Sequence, residues 1–205
     1  GANEGKELPL VRKDVAALLI ADLHFSHRPP LARAVEGEDW YTVQGRYLCQ
    51  LRTLQEQFSS DGCLCPCLCG GDVFDKWNAP AELINFLIDR MPTIYSVAGN
   101  HDLPNHNYQD IQKSAYWTLV QAGKIVNLSP EDSRGASNLR LWGFPCGFPP
   151  KPLPKSHGLV LEVAVVHSYI WTKKSSYPGA REEQRLPSYL KNLKGYDAVL
   201  FGDNH

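Results

Sequence analysis

Four apolar runs in this 205-residue chain end in the same kind of polar cluster. Residues 15–21 lead into Asp22-Leu23-His24, and residues 63–69 into Gly70-Gly71-Asp72. Residues 93–98 lead into Gly99-Asn100-His101-Asp102, and residues 198–201 into Gly202-Asp203-Asn204-His205. A fifth run, 160–166, stops at His167-Ser168. Short apolar runs bounded by turn residues read as buried strands. A further strand is expected at 139–144. Between the runs lie helical patterns. Residues 46–58 carry Leu48, Leu51, Leu54 and Phe58 on one face. A second helix opens at Asn78-Ala79-Pro80, with Asn78 as its cap, and ends near Arg90. A third spans 110–121 and is closed by Gly123, and a short one spans 187–193. Strands alternating with helices imply an α/β sheet. The later strands come without long helices, so the sheet system is expected to be mixed and layered. The whole of 1–205 reads as one domain.

Composition narrows the function classes. Hydrophobic residues make up 43 %, charged residues 21 %, and the formal net charge is −1. That balance excludes a disordered chain and gives no general case for nucleic-acid or membrane binding. No apolar run approaches the roughly 20 residues of a membrane span. Residues 1–7 show no secretory signal. Four of the six cysteines alternate at Cys63, Cys65, Cys67 and Cys69. On an extended strand their thiols would spread over about 20 Å, too far to converge on one ion. They read as small hydrophobes of a buried strand, with Pro66 weakening its first half. Reduced thiols without an export signal point to the cytoplasm.

The strand-end clusters carry the chemistry. Functional crevices of open α/β sheets lie at the carboxyl ends of strands. Asp22, Asp72 and Asp203 offer carboxylates there, His24, His167 and His205 offer imidazoles, and Asn100 offers a carbonyl oxygen. Seven such ligands suit two ions, with Asp72 as the bridge. Mixed nitrogen and oxygen donors without sulfur suit Mn, Fe or Zn. Residues two apart face the same side in extended backbone, so Asp22-x-His24 and Asp203-x-His205 can each address one cluster.

This set, Asp22-x-His24, Gly71-Asp72-x-x-Asp75, Gly99-Asn100-His101-Asp102, His167 and Gly202-x-x-His205, resembles the calcineurin-like metallophosphoesterase superfamily over nearly the whole chain. The resemblance implies a four-layer α/β/β/α sandwich and phosphoester hydrolysis at a two-metal centre. It implies that Asp22, His24, Asp72 and His205 hold one metal, and that Asp72, Asn100, His167 and Asp203 hold the other. Such patterns usually end Gly-His-x-His; aspartate at position 203 adds a harder oxygen donor and shifts preference toward Mn or Mg. The implied chemistry is attack on phosphorus by hydroxide from a metal-activated water. The leaving oxygen then needs a proton, for which His101 is the candidate general acid, with Asp102 orienting it. Asp75 would support the loop. His27 and His106, beside the motifs, are candidate contacts to substrate phosphate.

The neighbourhood of the motifs narrows the branch. Lys76-Trp77 and Asp102 stand where protein phosphatases carry Arg-Gly and Glu, and Asp75 stands where purple acid phosphatases carry a tyrosine ligand. The stretch from Gly71 to Pro80, followed by a helix and Val97 to Asp102, is similar to the SbcD-type DNA repair exonucleases. A DNA substrate follows from that resemblance, and an ATPase partner subunit with it. Residues 151–194 hold 8 Lys/Arg against 3 Asp/Glu. Lys173, Lys174, Arg181 and Arg185 interleave there with Trp171, Tyr177 and Tyr189, a mixture that suits a phosphate backbone with stacked bases. The competing readings are a small-nucleotide phosphodiesterase or phosphatase, and a weakly catalytic scaffold of the same fold. Because His205 is the last ligand of the pattern, the chain is expected to be a C-terminally truncated member.

Overall fold

A computed structural model describes residues 15–34, 36–60, 62–154, 158, 160–172 and 180–203. Its first sheet contains β1 (Leu18–Ile20), β2 (Cys67–Cys69), β3 (Ile94–Ser96) and β4 (Ile125–Asn127), all parallel and in that spatial order. The second contains β5 (Arg134–Ala136), β6 (Leu139–Phe144), β7 (Leu161–His167) and β8 (Ala198–Gly202), also in chain order. Here β5 runs antiparallel to β6, while β6, β7 and β8 are parallel. The helices are α1 (Trp40–Gln57), α2 (Ala81–Arg90), α3 (Ala115–Gln121) and α4 (Leu186–Asn192).

Side-chain alternation along the strands sorts the core into three apolar interfaces. Cys67 and Cys69 turn toward the helices, packing in one cluster with Leu48, Leu83, Leu87 and Tyr116. Leu68, between them, points the other way and meets Leu141, Val163 and Val165 of the second sheet. On β7 the same period sends Ala164 and Val166 outward to Tyr189 and Leu193 at α4. Three interfaces separate four layers, which is the expected α/β/β/α sandwich. Among the described residues no helix is long and apolar enough to cross a membrane.

Several element boundaries differ from the sequence reading. Helix α1 begins at Trp40, because Asp39 caps it by accepting the Thr42 N–H at 2.9 Å. Gly45 lies in its second turn beside Phe86, where a Cβ would make only ordinary contact at 3.7 Å. Helix α2 has Pro80, not Asn78, at its N-cap, in extended backbone without a side-chain bond. The helix expected at 110–121 is broken at Ser114, whose ψ of 157° stops a 3-10 segment and whose hydroxyl caps α3 through the Trp117 N–H. Strand β2 starts only at Cys67, although the Pro66 carbonyl still accepts from Leu18 N–H at 2.8 Å. Cys65, Cys67 and Cys69 are buried free thiols, Cys63 is exposed, and burial pushes Cys67 and Cys69 up to about 12. Among the described residues, no cysteine joins a metal-competent cluster.

Candidate metal centre

The parallel strands of both sheets deliver their carboxyl ends to one place. After β1 and β2 the loops stay paired: Asp22 N–H donates to Gly71 O, His24 N–H to Asp72 O and Phe25 N–H to Val73 O, at 2.9 to 3.1 Å. The second sheet is tied in at the same level. His167 Nδ1 lies 2.7 Å from Gly70 O, and Asp203 N–H donates to Asp22 Oδ1 at 2.9 Å. Local backbone here is unusual. Asp22 (φ 53°), His24 (46°), Asp72 (52°) and Asp203 (69°) all occupy the left-handed region. Non-glycine residues held there cost of order 1 kcal/mol or more each, and such outliers concentrate at functional sites. The Asp22-x-His24 pair therefore converges through two left-handed residues, not through the extended backbone that its spacing implied.

Asp72 is the hub. Its Oδ1 accepts the His101 N–H at 3.0 Å. Its Oδ2 is buried with no hydrogen-bond partner, 3.6 Å from both His24 Nε2 and His167 Nε2. The Gly70 carbonyl can only accept, so His167 carries its proton on Nδ1, and Nε2 presents a lone pair. That lone pair faces Asn100 Oδ1 at 2.9 Å. Asn100 Oδ1, His167 Nε2 and Asp72 Oδ2 thus converge as three acceptors. Ligands about 2.1 Å from one cation stand roughly 3.0 to 3.4 Å from one another, and the separations here, 2.9 and 3.6 Å, need shifts of only a few tenths of an ångström to meet it. Close approach needs two glycines. A Cβ on Gly71, at φ 99°, would lie 2.5 Å from His167 Nδ1, and one on Gly99 would overlap the Asp72 carboxylate. Electrostatics agree: after burial, the charges of Asp72, Asp203 and Asp102 are what push the Cys146 thiol up to about 11.

Metal-competent atoms form two groups, each with all its atoms within 4.8 Å of one another: Asp22 with Asp72 and His167, and His24 with Asp75 and His101. Five expected ligands (Asp22, His24, Asp72, Asn100 and His167) are brought together. Asp203 reaches the centre through its backbone N–H to Asp22, and its carboxylate is in neither group. His205 lies outside the described residues.

Asp75 has a larger part than loop support. Its carboxylate is 3.7 Å from His24 Nδ1, and its carbonyl takes the His101 Nδ1 proton at 2.7 Å. That corrects the role of Asp102, which was expected to orient His101. The Asp102 side chain is fully buried, accepting from Phe74 N–H and Gly99 N–H at 2.9 Å and from Val73 N–H at 3.2 Å. It braces the loop after β2 against the loop after β3. Burial and the neighbouring Asp72 charge push its carboxyl above the usual range. The ring of His101 stands edge-on to His24, with centroids 4.9 Å apart.

Three clefts adjoin the centre and are linked by shared residues. One of about 940 Å³ is lined by Asn100, His167, Asp203 and Phe148. It shares Asn100 with one of about 270 Å³, lined by His101, Trp77 and His106. That in turn shares Asp75, Lys76 and Asn78 with one of about 320 Å³, lined by His27 and Arg28. His106 donates from Nδ1 to Asn100 O at 3.1 Å, and His27 Nδ1 lies 3.0 Å from Tyr41 Oη. The basic–aromatic strip resolves differently. Arg185 sits over the Trp171 ring at 5.8 Å and bonds Glu182, and Tyr189 is core. Arg181 lines the 940 Å³ cleft, and Lys173, Lys174 and Tyr177 lie outside the described residues.

Comparison with known families agrees with this geometry. The calcineurin-like phosphoesterase family model matches residues 16–205, so the chain belongs to that family. No curated protein matches the chain. Family and site together make it a metal-dependent phosphoesterase, a hydrolase of phosphoester bonds, with candidate Asp and His ligands for divalent ions.

Proposed function

We propose that this phosphoesterase is a DNA nuclease of the SbcD type that uses two divalent ions, with manganese the physiological one. The observation that carries the polymer substrate is the set of adjoining clefts at the centre, linked through Asn100, Asp75, Lys76 and Asn78. A phosphodiester has substituents on both sides of its phosphorus, and a strand continues through both. In this reading Asp22, His24, Asp72 and His205 hold one ion, and Asp72, Asn100, His167 and Asp203 the other. The oxygen-rich donor set favours Mn or Mg.

Bound at these ligands, the ions supply hydroxide near neutral pH and offset charge on the phosphoryl oxygens. The chain supplies the rest. Asp72 would be the ligand shared by both ions, and its position is fixed by the His101 N–H. His101 acts as the general acid. With Nδ1–H held on the Asp75 carbonyl, the imidazolium donates from Nε2 to the leaving oxygen and returns to the tautomer which that carbonyl selects. Asp102 positions the loop that carries His101. His27, Lys76, Arg28 and His106 line the adjoining clefts and contact flanking phosphates.

The test is turnover by the Mn-loaded chain on end-labelled linear DNA, single- and double-stranded, beside bis(p-nitrophenyl) phosphate. DNA cleavage is expected. Turnover of the small diester with DNA left intact would refute the nuclease reading. No turnover of any ester, with both ions shown bound, would refute catalysis itself and leave the scaffold reading.

A further inference from the structure

Beside the metal centre, Phe148 leaves 37 % of its surface exposed, although it is a large apolar ring in a cleft wall. It is not loose. Its N–H donates to Pro145 O at 3.0 Å, closing a turn. Its ring meets Tyr108 edge to face, with centroids 5.1 Å apart. Tyr108 in turn is pinned from the interior: its hydroxyl accepts from Asn127 Nδ2 at 3.2 Å, and Asn127 Oδ1 lies 3.0 Å from the buried Tyr116 hydroxyl. An aromatic ring braced by its neighbours and over a third exposed thus lines the same cleft as Asn100 and His167. The same cleft is also lined by Gln184, Arg181 and Glu183, which offer amide, guanidinium and carboxylate groups.

We propose that Phe148 is a stacking platform for the nucleobase next to the scissile phosphate, with Gln184 and Arg181 facing the edge of that base. This rests on the phosphodiesterase reading above and deepens it, by making the preferred substrate a nucleoside phosphodiester. Every base has a π-face, so such a platform binds bases without selecting among them. An aromatic braced from behind stacks without losing side-chain freedom on binding. A small apolar wall that merely closed the cleft would have no need of the Tyr108–Asn127–Tyr116 chain.

The experiment compares wild type, Phe148→Leu and Phe148→Trp, each Mn-loaded. Calorimetry gives the affinity for thymidine 5′-monophosphate relative to inorganic phosphate. Kinetics give kcat/KM for thymidine 5′-(p-nitrophenyl phosphate) relative to methyl p-nitrophenyl phosphate. Phe148→Leu is expected to lower both ratios about tenfold or more, and Phe148→Trp to restore them. Unchanged ratios in Phe148→Leu would overturn the platform, as would equal loss on both members of each pair. If wild type hydrolyses neither diester, the phosphodiesterase reading fails instead, and binding of the mononucleotide over phosphate still decides the platform.

Discussion

Replacing Asp72 by asparagine should make the metal-free protein more stable while removing its response to metal. The carboxylate Oδ2 is buried without a hydrogen bond, 3.6 Å from two imidazole nitrogens. A buried acceptor left unsatisfied costs about 1–3 kcal/mol, and more when it carries charge. Asparagine is isosteric. Its oxygen can keep the Oδ1 bond to the His101 N–H, and its NH₂ group then takes the place of Oδ2, facing the lone pair of His167 Nε2. One acceptor among acceptors becomes a donor. The expected gain is about 1–3 kcal/mol, and at about 2–4 °C per kcal/mol for a domain of this size Tm should rise by about 2–12 °C in EDTA. Wild type should gain about 2.7 kcal/mol from an ion at a hundred times its Kd, a rise of about 5–11 °C that the variant loses. Calorimetric melts in EDTA and across a Mn titration measure both. A variant that melts below wild type in EDTA would refute the reasoning, since Asp72 would then be a structural support and not a ligand held at a cost. So would an undiminished response to Mn.

Two further outcomes follow from the same geometry. His101→Ala should keep its Mn-induced rise in Tm yet lose about 10²–10⁴ in rate on DNA or an alkyl diester, and far less on p-nitrophenyl esters, whose leaving group needs no proton; equal loss on both would remove the general-acid role. At pH 8, iodoacetamide should label the exposed Cys49 and Cys63 in the folded protein. It should leave Cys67 and Cys69 unlabelled until unfolding, because burial that pushes them up to about 12 keeps them as thiols, as peptide mass spectrometry can show.

What the sequence made legible was periodicity and the residues that interrupt it. Strand β6 falls at 139–144 as read, and the Gly-Asn-His-Asp cluster after β3 lies where its apolar run ends. Strands β4 and β5 were missed because Ile125-Val126-Asn127 and Arg134-Gly135-Ala136 sit in no longer apolar run, unlike the equally short β1, β2 and β3. Ser114 looks neutral inside a helical pattern until its hydroxyl caps the following turn. The Asp102 role failed for a related reason. Adjacency to His101 in sequence implied contact, but the intended partners of that carboxylate were three N–H groups on two loops, one of them 29 residues away. Sequence spacing also placed Asp22 and His24 on one side of an extended strand, and left-handed backbone at both residues cannot be read from Asp-Leu-His.

That left-handed backbone explains why the centre is built from loops tied across two sheets. A residue at positive φ relaxes unless its neighbours over-determine it. Here the ties run both along and across the sandwich: the β1 and β2 loops share a ladder, Asp102 clamps the β2 loop to the β3 loop, and His167 and Asp203 bond Gly70 and Asp22 from the second sheet. Among the side chains at the centre, three hold one polar atom in a hydrogen bond and keep the other. His167 spends Nδ1 on Gly70 and keeps Nε2; His101 spends Nδ1 on Asp75 and keeps Nε2; Asp72 spends Oδ1 on His101 and keeps Oδ2. The same division in three side chains from three strand ends is what a fold needs if cations are to complete it, and two of the three, Asp72 and His167, bring their unspent atoms to 3.6 Å from each other.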